Sequence, residues 1–119
     1  MAESFEDVLS GLVKRCPAVQ AAGFMDIDGA EIACVPRGAL ERLKSGAAFS
    51  GIALRRLGTA EKAAGRQGVH HFDLSGKAGR LMAFPVGDNY QLILVVGAEG
   101  APGLLGQATE AVRHLEAGI

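Results

Sequence analysis

Tyr90-Gln91-Leu92-Ile93-Leu94-Val95-Val96 is the stretch that decides the fold. Leu92 to Val96 are all aliphatic, with no polar alternation, which describes a strand covered on both faces and therefore central in its sheet. The strand signal extends over 90–98. Just before it, Gly87-Asp88-Asn89 is a turn, and 80–86 reads as a preceding strand with Pro85 near its end, where a missing ladder donor is tolerated.

Working outward, residues 69–74 form a short strand pattern in which His70, Phe72 and Leu74 share one face, followed by the turn Ser75-Gly76-Lys77-Ala78-Gly79. Upstream, 19–25 and 30–35 are small or apolar and are joined by Asp26-Ile27-Asp28-Gly29, an Asp-Gly hairpin signal. Between the two hairpins, Leu40, Leu43, Ala47, Leu54 and Leu57 recur at approximately helical spacing. Gly46, Gly51 and Gly58 weaken that helix by about 1 kcal/mol each relative to Ala.

Both ends of the chain read as amphipathic helices. Phe5, Val8, Leu9, Leu12, Val13 and Cys16 form a clear stripe, with Ser4 and Asp7 placed as a capping box and Pro17 set to stop the helix. Leu104, Leu105, Ala108, Ala111, Val112 and Leu115 form the last stripe, opened near Pro102. The expected order is α-β-β-α-β-β-β-α, an α+β domain spanning 1–119 with a five-stranded antiparallel sheet flanked by helices.

Composition narrows the function classes. The 119 residues carry 12 Lys and Arg against 13 Asp and Glu, a formal charge of −1, and 49% are hydrophobic. Nucleic-acid binding calls for a basic surplus and stacking aromatics, but there is no Trp and one Tyr. So much apolar content with so little net charge favours association. The acidic opening Met1–Asp7 and the lack of an 18-residue apolar run set the expectation of a cytoplasmic chain without membrane insertion. Cys16 and Cys34 are expected as reduced core residues.

No motif in the chain demands catalysis. Gly97, Gly100 and Gly103 have the wrong spacing for a dinucleotide loop, and no strand follows the last helix to complete a βαβ unit. Ser75-Gly76-Lys77-Ala78 lacks the Ser or Thr that follows a P-loop lysine. Counted as a calcium loop from Asp26, position 5 is Ala30 and position 6 is Glu31, so turn chemistry is the better reading. His70 and His71 are adjacent, and on a strand they point to opposite faces, away from a shared metal. No cofactor is expected.

The stretches 23–33 and 79–96, with the helix opening Gly103-Leu104-Leu105-Gly106, resemble the roadblock / dynein light-chain family over nearly the whole chain. The resemblance implies a profilin-like roadblock architecture without an active site. It further implies a homodimer that regulates, and in some members activates, a small Ras-like GTPase, or that serves as a light-chain scaffold. The implied seam places Val69, His70, His71 and Phe72 on an edge strand and Leu43, Ala47, Leu54 and Leu57 along the second helix. An unpaired edge is itself a template for pairing with a second copy. Arg55 and Arg56 read either as a solvated helix face or as contacts to an acidic patch on the GTPase. If the histidine strand pairs with its copy, imidazoles from two chains approach and the dimer is expected to weaken below about pH 6.5. A small-molecule-sensing or adaptor domain unrelated to GTPases is the alternative, and a small enzyme using His70 or His71 a remote third.

Overall fold

The computed structural model describes residues 4–36, 71–76, 79–97 and 102–119. The helix expected from Leu40, Leu43, Ala47, Leu54 and Leu57 lies outside the described residues.

Helix α1 spans Phe5–Arg15. Its start is held as expected: the Ser4 hydroxyl accepts from the Asp7 N–H at 3.1 Å, and the Asp7 carboxylate accepts from the Ser4 N–H at 3.3 Å. Two N–H groups that the helix leaves without intrahelical acceptors are thereby satisfied. Val8, Leu9 and Leu12 are buried, and Cys16 caps the end.

Five strands follow: β1 Val19–Asp26, β2 Glu31–Val35, β3 Phe72–Gly76, β4 Gly79–Val86 and β5 Tyr90–Val96. They form one antiparallel sheet in the order β2-β1-β5-β4-β3. The aliphatic strand β5 is central, and its side chains are buried on both faces, as its lack of alternation required. Leu92, Leu94 and Val96 join one cluster while Ile93 joins the other. Helix α2, Leu104–Ala117, closes the chain.

The first cluster combines α1 and α2 with Val19, Ala22, Phe24, Met82, Phe84 and Val86. At its centre Phe24 lies 4.8 Å from Phe5 and 5.6 Å from Tyr90, ring centroid to centroid. The opposite face buries Ala21, Met25, Cys34, Ala83 and Ile93. A register shift between Val19 and Ala21 explains why Val19 and Ala22, three residues apart, serve the same face. The extra residue of a bulge reverses the two-residue alternation.

Several boundaries and one buried stripe differ from the sequence reading. Of the third strand, expected over 69–74, residues 69 and 70 lie outside the described residues, and the strand runs from Phe72 through Gly76. Ser75 and Gly76, expected in the turn, pair with Arg80 and Gly79. The fifth strand stops at Val96. In α2, Leu104, Ala108, Ala111 and Leu115 are buried, but Leu105 is exposed. Leu104 and Leu105 are adjacent, about 100° apart around the helix axis, and only one of them faces the sheet.

Candidate functional site

The feature that stands out is the sheet edge at β3. Among the described strands β4 is its only neighbour, so alternate N–H and C=O groups of β3 turn away from the sheet. Phe72 and Leu74 lie over Ala83 and Leu81 on the face away from α1 and α2. Phe72 is half-buried, but Leu74 remains 51% exposed at the margin of the sheet. An apolar side chain beside a strand edge suits the edge to protein association.

The hairpin that carries β3 is stiffly held. At Gly79 φ is +141°, and a Cβ there would lie 2.4 Å from the Val96 carbonyl oxygen, so only glycine lets β4 approach β5 at this corner. On the α1/α2 face, Arg80 reaches diagonally across to Asp73. Its Nε and Nη2 donate to the two carboxylate oxygens at 3.3 and 2.5 Å. That hydrogen bond, and then the Asp73 charge, raise the guanidinium further above its ordinary value, against a small opposing effect of burial. The side chains are 35% and 28% exposed, so solvent screens the pair and it contributes alignment more than stability. His71, just before the strand, stacks on Phe84 at 5.5 Å with 26° between the rings.

Of the expected seam residues, the structure places His71 and Phe72 at this edge. Leu43, Ala47, Leu54, Leu57, Val69 and His70 lie outside the described residues, as do Arg55 and Arg56. Leu74 was absent from that set, although its alternation with Phe72 around Asp73 carried the signal. The edge position itself was an expectation carried over from the roadblock resemblance.

The remaining chemistry is structural. The Asp26 carboxylate accepts from the Asp28 and Ala30 N–H groups, both at 2.9 Å, so the turn reading of this segment is correct. Cys16 and Cys34 form no disulfide and are buried on opposite faces of the sheet. Among the described residues no three His, Cys, Asp or Glu side chains converge to hold a metal ion. No described helix is long and apolar enough to cross a membrane.

No family model matches the chain, and no curated protein matches it. Solved structures do. MglB of Myxococcus xanthus superposes with a TM-score of 0.80 at 17% identity, covering 95% of this chain and 92% of that one. A roadblock/LC7 domain from Streptomyces avermitilis gives 0.79 at 18% identity, covering 97% of each chain. Profilin IB of Acanthamoeba castellanii is more distant, at 0.59 and 16% identity over 97% of this chain and 98% of that one. The fold is that of a roadblock domain, within the broader profilin-like architecture.

Proposed function

We propose that this chain is a homodimeric, non-catalytic regulator or scaffold of a small Ras-like GTPase, acting in the cytoplasm. The observation that carries the dimer is the β3 edge with Leu74 half exposed beside it. Antiparallel pairing of β3 with its copy would join two sheets into one and cover two leucines. His71, Phe72, Val69 and His70 belong to this seam in our reading, with Leu43, Ala47, Leu54 and Leu57 alongside.

The GTPase rests on the roadblock resemblance, which the superposed fold supports. Arg55 and Arg56 are the proposed contacts, since an arginine pair suits an acidic surface. Hydrolysis then belongs to the GTPase, with this protein recruiting it or favouring one of its states. The test is capture from native cytosol on the immobilised full chain, with GTP or GDP supplied in parallel. Retention of a Ras-like GTPase in a nucleotide-dependent manner supports the reading, and its absence from both eluates refutes it.

A further inference from the structure

At the edge of the sheet away from β3, the structure builds a second surface. An open pocket of about 470 Å³ lies against the β1–β2 hairpin and the β4–β5 turn, lined by Ile27, Ala30, Ile32 and Tyr90 together with Asp26, Asp28, Glu31 and Asn89. We infer that this groove docks an extended cationic-apolar segment of a partner protein, with a Lys or Arg side chain meeting Glu31 and an apolar side chain resting on Ile32 and Tyr90.

Four observations converge on that occupant. The walls are preformed: the Ile27 N–H donates to the Asn89 carbonyl at 2.9 Å, tying the two loops together, and the Asp26 N–H donates to the Ala30 carbonyl at 2.9 Å. A wall already rigid costs little ordering on binding. Secondly, Phe24 pairs with Ala33 but Met25 with Glu31, leaving Ile32 as the extra residue of a bulge. It is 42% exposed, an apolar side chain re-aimed at the groove where regular alternation would not have put it.

The third observation is charge. Asp28 and Glu31 are exposed on the groove, Asp88 lies on the adjoining turn, and none of the described Lys or Arg lines the pocket. That balance repels phosphate-bearing ligands and attracts a cationic chain. Finally, β2 is the far edge of the described sheet, so a segment lying along it has backbone groups to pair with as well as a pocket for its side chains. A dimer formed through β3 leaves β2 on its outer flank. Each dimer then presents two such grooves, which suits a scaffold.

Fluorescence anisotropy tests this on the full-length protein. The probe is a labelled octapeptide alternating Lys with Val; two controls replace every Lys by Glu or every Val by Gly. The Lys-Val peptide is expected to bind tightest and to weaken as salt rises from about 50 to 300 mM. Glu31→Lys and Ile32→Asp should each lower its affinity by about tenfold, whereas Glu110→Lys, the same charge change on the exposed side of α2, should lower it by less than about twofold. Leu74→Asp should leave this affinity unchanged while it disrupts the dimer, which separates the groove from the seam. Equal losses for Glu31→Lys and Glu110→Lys would reduce the attraction to long-range charge and overturn the proposal. Equal binding of the Lys-Gly peptide, or no binding of the Lys-Val peptide, would overturn it as well.

Discussion

Leu74→Asp puts the proposed seam under the most direct strain. Full burial of a leucine side chain stabilises by about 1.5–3 kcal/mol, and Leu74 keeps 51% of its surface exposed in the single chain. Covering that remainder therefore contributes about 1 kcal/mol per protomer, and a two-fold seam counts it twice, about 2 kcal/mol in all. Loss of that alone weakens the dimer about 30-fold. The aspartate adds the cost of desolvating two carboxylates, each next in sequence to Asp73, so the combined loss is at least about 100-fold. The monomer should hardly notice, since an exposed substitution changes stability by about 0.5 kcal/mol or less. Sedimentation equilibrium over a range of loading concentrations reads the dimer constant, and urea unfolding reads the fold. An unchanged dimer constant in a folded variant would refute the seam.

Other substitutions test the framework that positions both edges. Gly79→Ala should destabilise by about 2–3 kcal/mol in urea unfolding, because its Cβ meets the Val96 carbonyl oxygen and φ is positive. Ser4→Ala removes the cap acceptor of α1 and should cost about 1 kcal/mol, with faster hydrogen exchange confined to the first turn of that helix. Leu115→Ala should cost about 3 kcal/mol, whereas Leu105→Ala costs less than about 0.5, a contrast set by burial alone. Cys16 and Cys34 should react slowly with a thiol reagent in the native protein and fast after unfolding, because both are buried.

Features that depend on local patterns were the ones legible in the sequence. The capping box of α1 needs only Ser4 and Asp7 at the right spacing, and the Asp26 turn needs only its own neighbours. The central place of β5 showed in its unbroken aliphatic run, because a strand with one wet face alternates. What pairing decides was harder to read. The end of β3 depends on Ser75 and Gly76 finding Arg80 and Gly79 on β4, and those residue types signal a loop. The exposure of Leu105 depends on the angle at which α2 meets the sheet, and nothing in the adjacent pair Leu104-Leu105 distinguishes the two.

The candidate sites divide in the same way. An edge strand near His71 and Phe72 came from the roadblock resemblance and not from the local pattern, whereas its neighbour Leu74 was readable from two-residue alternation. The groove was not, because Ile32 owes its exposure to a bulge, and a bulge arises from a mismatch between two strands rather than from either sequence alone.

The most direct measurement of the central claim is sedimentation velocity of the chain mixed with the Ras-like GTPase it captures, loaded with the nucleotide that favours capture. A faster boundary is expected, in which the GTPase travels with two copies of this chain. A monomeric chain, or a dimer whose boundary the GTPase leaves unmoved, would contradict it.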